Sequence, residues 1–501
     1  MAIAQDKDII GSVISDEESP SFEIFRFKAK HDKHVAPGTL VAVAVSENSF
    51  LVARVSASHE YNPHESSSKV TVRDALDISP DYPGEEISLT IHRLYEAEII
   101  DEVRKGSNGI LETIPPQSLV KSSSEVFVPP LEVINAVIGL EVDPHKSLDI
   151  GNLAITLAEE RDIPVRLKRE IIQRHVFIGG TTGSGKSYAA RVLAEEIHKH
   201  KIPVIFFDTQ FEFVPIAQQL GGVVLEPGKG YQVKLSSLTP DEMTELLPTL
   251  RNALHVDILT NAFLRLKEKN IPFTNQEFLS QIDDVSQEMG QSPAQQETTR
   301  KIVHSRAEYH LKQYDFLGND FDWISVIKPS SVINIDCKGV NRQRLQLILA
   351  ATLRELQTLR KENKIEPYVI FIDEAHLFVP QDEESACKQI IREGVRTGRH
   401  FGIVFVLITQ SPLDIDKKAI RQCNTRFLFA IEPDQLQAIQ GVKADATQEM
   451  IDKLPKAPVG TCIVSGTYET IKHAIPVRIR KMETPEADAG KAPDIFAKVG
   501  G

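Results

Sequence analysis

A chain of 501 residues, at about 150 per domain, is too long for one small module and implies about three compact parts. With 41% hydrophobic and 25% charged residues and a mean hydropathy of -0.18, the composition excludes a disordered or membrane-embedded protein. The formal net charge of -13, from 57 Lys and Arg against 70 Asp and Glu, excludes a protein that coats its outer surface with nucleic acid or anionic lipid, so any such contact has to be local.

Four cysteines, Cys337, Cys387, Cys423 and Cys462, lie too far apart for a disulfide framework or a metal site and read as buried thiols of a reducing compartment. The start, MAIAQDKDII, has neither the basic nor the apolar region of a leader, and no run approaches the ~18 apolar residues of a spanning helix. The expectation is a cytoplasmic protein without membrane contact.

In chain order, short apolar or alternating runs come first: Ile9–Ile14, Phe22–Phe27, Leu40–Val45, Leu51–Val55, Ile87–Ile91, Tyr95–Ile100 and Val126–Val128, parted by turn-rich stretches such as 62–68 and 79–84. This spacing predicts a small β-barrel or sandwich over residues 1–130, closed by Pro129-Pro130. The period then changes. IPVRL, HVFIGG, a glycine-rich turn, a helical pattern over 187–199 and the strand IPVIFFD (202–208) read as the first part of a helix-covered parallel sheet, residues 131–234.

Between 235 and 320 strands stop, and PDEMTELLPTLRNAL, NAFLRLKEK and QETTRKIVHSRAEYHLKQY predict a helical insertion. The sheet resumes over 321–481 with SVINIDC, a long helix around Arg342–Lys361, YVIFIDE, a helix within 382–395, GIVFVLITQ and RFLFAI. The last part, 482–501, is rich in Ala, Gly, Pro and acid and reads as an extended arm.

Gly180-Thr181-Thr182-Gly183-Ser184-Gly185-Lys186-Ser187 fits G-x-x-x-x-G-K-[ST] between an apolar strand and a helix, the context that pattern requires. Consecutive backbone N–H groups in such a loop, with the helix dipole behind them, hold phosphate oxygens. Lys186 is expected to neutralise the β- and γ-phosphates, Ser187 to ligate Mg²⁺, and Tyr188 to complete the nucleotide-binding segment. Tyr368-Val-Ile-Phe-Ile-Asp373-Glu374 is the complementary half, a buried parallel strand ending in two carboxylates. Asp373 would complete the metal shell, and Glu374 would orient and deprotonate water, a task that sets this pattern apart from small-molecule P-loop kinases.

The letters Asp-Glu-Ala-His at 373–376 also suggest two-motor helicases, but only 128 residues follow Asp373, too few for a second motor. With one motor per chain, the opposite wall of an ATP site must come from another subunit. Arg399, in TGRHFG (397–402), is the candidate guanidinium for that role; Gln410, in ITQSP, has the amide to touch the γ-phosphate or its water. His376 reads as a packed or capping histidine.

RHVFIGGTTGSGKS (174–187), the helical insertion, YVIFIDEAHLFVP (368–380), TGRHFGIVFVLITQSP (397–412) and CNTRF (423–427) together resemble the HerA branch of the HerA–FtsK superfamily of hexameric DNA-pumping ATPases. That branch carries an N-terminal β-barrel and no membrane segment.

The resemblance implies an α/β fold with a RecA-like P-loop NTPase core, a homohexameric ring with ATP at subunit interfaces and double-stranded DNA in the channel, and a C-terminal arm bracing the neighbour. It makes Lys186 and Ser187 the Walker A pair, Asp373 and Glu374 the Walker B pair, Arg399 the trans-acting finger and Gln410 the sensor. It also implies a partner docked on the barrel, a NurA-type nuclease in DNA end processing or an effector enzyme in antiviral defence; the alternative is an ATP-dependent ring scaffold that controls an effector without productive DNA pumping. Two segments depart from the family pattern. Asp208-Thr-Gln-Phe211-Glu212 lacks the glycine of Asp-x-x-Gly-Glu, and Gln-Ser-Pro (410–412) replaces Gln-Arg-Pro. Basic clusters at Arg166, Lys168, Arg169 and Arg174, at Lys417, Lys418 and Arg421, and at Arg478, Arg480 and Lys481 are the candidates for DNA contact.

Overall fold

A computed structural model describes residues 9–15, 19–30, 33–36, 38–46, 48–61, 92–106, 110–154, 163–269, 271–289, 292–467 and 471–484. The run expected at Ile87–Ile91, the turns at 62–68 and 79–84, and the arm beyond residue 484 lie outside these. Two compact units emerge: 1–147, 151–168 and 471–478 form one, and 148–150, 169–470 and 479–501 the other.

The first unit contains β1 (Ile9–Ile14), β2 (Ile24–Ala29), β3 (Leu40–Ser46), β4 (Ser49–Tyr61), β5 (His92–Lys105), β6 (Leu111–Ile114) and β7 (Glu125–Phe127). Their order is β2-β1-β7-β3-β4-β5, and antiparallel pairing of β2 with β5 closes six strands into a barrel with β6 added beside β5. Closure follows from alternation. In β2, Phe25, Phe27 and Ala29 face the barrel core with Val41, Val43, Leu51, Val55 and Tyr95, while Arg26 and Lys28 point outward.

β3 is apolar on both faces because Ala42, Val52, Val103 and Phe127 pack a second cluster against Val133 and Val137 of helix α1 (Leu131–Ile138), so this compact unit continues past Pro130. It also holds β9 (Pro164–Lys168) and most of β8 (Ser147–Leu153) and β19 (Ile475–Ile479), adjacent in the order β19-β8-β9.

In the second unit, β10 (Val176–Gly179), β11 (Val204–Asp208), β12 (Val223–Pro227), β13 (Gly230–Tyr231), β14 (Val332–Asp336), β15 (Tyr368–Ile372), β16 (Ile403–Thr409), β17 (Thr425–Leu428) and β18 (Thr461–Gly466) lie in the order β13-β12-β14-β11-β15-β16-β10-β17-β18. All neighbours are parallel except β17 and β18. β10, β11, β15 and β16 are buried at every residue, as expected of strands covered on both faces, and this is why they read as unbroken apolar runs.

The helices between them are α2 (Lys186–Lys199), α3 (Val214–Gln219), α4 (Pro240–Glu245), α5 (Ala253–Glu268), α6 (Asn275–Glu288), α7 (Pro293–Leu311), α8 (Trp323–Val326), α9 (Arg342–Lys361), α10 (Lys388–Thr397), α11 (Lys417–Gln422), α12 (Leu436–Gln440) and α13 (Gln448–Lys453). The helix expected through PDEMTELLPTLRNAL stops at Glu245, because Pro248 supplies no N–H and restricts the residue before it; Asn252 then caps α5 afresh. α6 starts at a capping box between Thr274 and Glu277, and α7 buries Thr299, Val303, Ala307 and Leu311 at four-residue spacing. No helix among the described residues is long and apolar enough to cross a membrane. The four cysteines are free and buried.

Candidate active site

In a parallel sheet the loops leaving the carboxyl ends of the strands share one edge, and here that edge gathers most of the residues singled out above. β10 runs into the glycine loop and α2, β15 leads into Asp373-Glu374, and β16 lies between these two strands and leads into Gln410. The loop is tied down on all sides. Gly180 N–H donates to Thr409 O (3.3 Å), Thr181 N–H to Ala430 O (2.7 Å), and Gly460 N–H to Ser184 O (2.9 Å). Gly185 caps α2 at φ +111°, and a Cβ there would lie 3.1 Å from Gly460 Cα; one at Gly180 would lie 2.6 Å from Phe429 Cβ. Only glycine combines that φ with such close packing.

Across the loop, Lys186 Nζ donates to Thr181 O at 2.7 Å, Ser184 Oγ donates to the same carbonyl at 2.7 Å, and Thr182 Oγ1 donates to Gln410 Oε1 at 2.6 Å. Burial lowers the Lys186 pKa, against the opposing pull of Glu374, Glu212 and Asp373. Ser187 stands on the first turn of α2, and the Tyr188 hydroxyl beside it accepts from Met482 N–H at 2.8 Å.

Asp373 is 4% exposed. Its carboxyl is pushed up to about 8, by burial first and then by Glu374, Glu212 and Asp208, while the Thr209 hydroxyl, donating to Oδ2 at 2.8 Å, works the other way. Glu374 takes a left-handed conformation, φ +47° and ψ +48°. Its Oε1 accepts from Gln210 Nε2 at 2.8 Å; its Oε2 is buried without a hydrogen bond and lies 3.3 Å from His376 Nδ1, which is itself 3.1 Å from Thr409 Oγ1. His376 thus bridges the acidic pair and the end of β16.

Asp208, Thr209 and Gln210, which the sequence singled out only within a departing segment and not as site residues, belong to this edge. The signal was the end of β11: an aspartate followed by a turn whose usual glycine is Phe211, here at φ +66°.

Arg399 is not at this edge. It is exposed in the 3-10 turn Gly398–Phe401, ahead of the seven-residue β16, whose far end carries Gln410. Seven residues span roughly 20 Å, so Arg399 stands at the opposite edge of the sheet from its own phosphate loop. Of the basic clusters, Arg480 is committed internally, to Glu195 at 3.1 Å and Glu196 at 2.7 Å on α2.

A glycine loop on a parallel strand, a lysine drawn toward two buried carboxylates, and an intervening strand that brings its own polar end to the loop define a P-loop ATPase. Residues 148–356 match the family described as Helicase HerA, central domain, and residues 342–476 match an AAA-like domain family. Over 148–356 the chain is thus similar to the central domain of HerA helicases, and it is an ATP-hydrolysing enzyme of the P-loop type.

The DNA double-strand break repair helicase HerA of Sulfurisphaera tokodaii is 26% identical over 66% of this chain and 70% of its own length; that of Pyrococcus furiosus is 20% identical over 94% and 92%. The structure of VirB4 of Thermoanaerobacter pseudethanolicus superposes with a TM-score of 0.51 at 16% identity, covering 68% of this chain and 97% of that one, a likeness of fold.

Proposed function

We propose that this chain is an ATP-driven double-stranded DNA translocase or helicase of the cytoplasm, working as a homohexameric ring with a partner nuclease or effector enzyme docked on the barrel, in DNA end processing or antiviral defence. The observation that carries the ring is the division of the site. The phosphate loop, Asp373, Glu374 and Gln410 share one edge of the sheet, while Arg399 stands at the other, out of reach of its own loop. A neighbouring copy presenting its Arg399 edge would complete the site, and only assembly would join the halves. The HerA relatives named as DNA repair helicases support the DNA substrate, and the free, buried cysteines fit a reducing compartment.

In this reading the N–H groups of 180–187 and Lys186 hold the phosphates of ATP. Ser187 and Asp373 form an oxygen donor set suited to Mg²⁺, and the carboxyl at Asp373, crowded by other carboxylates, fits a site that receives a cation. Bound there, Mg²⁺ supplies charge neutralisation to the phosphates. Glu374 orients water and takes its proton, its carboxylate held between the Gln210 amide on Oε1 and His376 Nδ1 beside Oε2. Gln410, held by Thr182, reports the state of the γ-phosphate to β16.

Steady-state ATP hydrolysis by the full chain, with and without linear double-stranded DNA, tests this: DNA stimulates turnover, and Lys186→Ala or Glu374→Gln abolishes it. Arg399→Ala is expected to lower kcat by about a hundredfold or more. Mixing Arg399→Ala with Lys186→Ala subunits then restores activity, because some interfaces pair an intact loop with an intact arginine. DNA-independent turnover in the partner-bound ring would sink the pumping reading in favour of a scaffold.

A further inference from the structure

The turn after β11 is built around the acidic pair. Asp208 is fully buried and accepts three backbone N–H groups, Gln210 (3.2 Å) and Glu212 (3.1 Å) on Oδ1 and Phe213 (2.8 Å) on Oδ2. This wraps 209–213 tightly enough to hold Phe211 at φ +66°, a conformation that costs a non-glycine residue about 1 kcal/mol or more. The Lys338 ammonium lies 5.1 Å from the centre of the half-buried Phe211 ring and steadies it.

What the turn gains is register: two consecutive side chains meet two consecutive carboxylates, Thr209 on Asp373 and Gln210 on Glu374. Glu374, itself left-handed, has one oxygen tied by an amide and the other buried without a hydrogen bond, 3.3 Å from His376 Nδ1. Amide donation to Oε1 fixes the carboxylate's rotation and still leaves Oε2 its lone pairs.

We propose that Gln210 is a positioning residue for ATP hydrolysis, clamping Oε1 of Glu374 and so fixing the rotation of the carboxylate that acts on the attacking water. This rests on the reading of Glu374 as the base. Gln210 is exposed on the rim of the site, so its side chain can be altered without opening the core.

The experiment compares the wild-type full chain with Gln210→Ala, Gln210→Glu, Glu374→Gln and the Gln210→Ala/Glu374→Gln double variant. It measures kcat and KM for ATP, the Kd of a fluorescent ATP analogue, and the thermal midpoint. Gln210→Ala is expected to lower kcat about tenfold with KM and analogue Kd within twofold of wild type, and the isosteric Gln210→Glu, which sets a carboxylate against Glu374, to lower it further. In the Glu374→Gln background Gln210→Ala is expected to have no additional effect, because there is no base left to position.

A Gln210→Ala kcat equal to wild type beside an inactive Glu374→Gln overturns the clamp alone. A kcat above wild type overturns it as well, since the amide would then be restraining rather than aiming the carboxylate. Parallel losses of midpoint, Kd and kcat would show that Gln210 only shapes the fold. Wild-type turnover in Glu374→Gln would instead overturn the reading of the base.

Discussion

Glu102 in the barrel and Asp373 in the ATPase unit are both carboxylates almost closed to solvent, 0% and 4% exposed, and their surroundings treat them in opposite ways. Burial would raise Glu102, but Arg104, the Ser49 hydroxyl, Gln117 N–H and the Ser118 hydroxyl outweigh it and bring the carboxyl down to about 2. Asp373 has one hydroxyl donor, from Thr209, and three acidic neighbours, and its carboxyl rises to about 8. A saturated carboxylate stabilises its own fold; a crowded one is held at a cost that a bound cation and substrate can relieve. The contrast separates a structural acid from a functional one without reference to any motif.

The largest effect that could break this contrast is at Asp373. Asp373→Asn is expected to lower kcat by about a hundredfold or more while raising the thermal midpoint at about pH 9 in the absence of nucleotide, because above its pKa of about 8 the substitution removes a charge that burial, Glu374, Glu212 and Asp208 disfavour. Calorimetry beside a phosphate-release assay checks both signs. A fall in midpoint would mean that the crowding is already compensated within the chain.

A smaller effect comes from a buried base in the same unit. His175, 3% exposed, accepts from Phe405 N–H on Nδ1 at 3.0 Å; burial brings its pKa down to about 4, against the pull of the Val395 carbonyl. The unfolded chain takes a proton near pH 6.5, before the folded one does, so stability falls as pH drops from 6.5 toward 4, by roughly 3 kcal/mol in all. Urea unfolding at pH 7 and pH 4.5 should show that loss, and His175→Gln, which offers an acceptor that does not titrate there, should flatten it.

Much of this was legible in the sequence because the period of the apolar residues matches burial. The runs at 176–179, 204–208, 332–336, 368–372 and 403–409 are strands buried on both faces, and the glycine loop and acidic pair end two of them. β6, β8, β12, β13, β18 and β19 escaped notice: β6 and β13 are short, β12 is half-exposed, and β8 (SLDIGNL) and β18 (TCIVSG), though mostly buried, mix polar residues and glycine into the run. Thr209 and Gln210 escaped for a different reason. They are 164 residues from their carboxylates in the chain, and only the parallel pairing of β11 with β15 makes them neighbours. Arg399 was legible as a residue type, whereas its place at the opposite edge follows from which end of β16 it precedes.

The smallest effect sharpens the barrel side of the contrast. The folded carboxyl of Glu102 is lowered, so its contribution to stability is present above pH 4.5 and is lost as pH falls toward about 2. Arg104, which donates at 2.8 Å, is 45% exposed, so solvent screens part of the interaction, and about 1–2 kcal/mol is the expected share. Glu102→Gln keeps the shape but removes the charge that four donors converge on, and should lower the free energy of unfolding by that amount at pH 7 while leaving kcat per folded molecule unchanged. At pH 3 the variant and the wild type should draw closer, because the unfolded wild-type chain then holds the proton while the folded one resists it. An equal gap at both pH values would mean that Glu102 is held by shape and not by charge, and the opposition to Asp373 would lose its electrostatic basis.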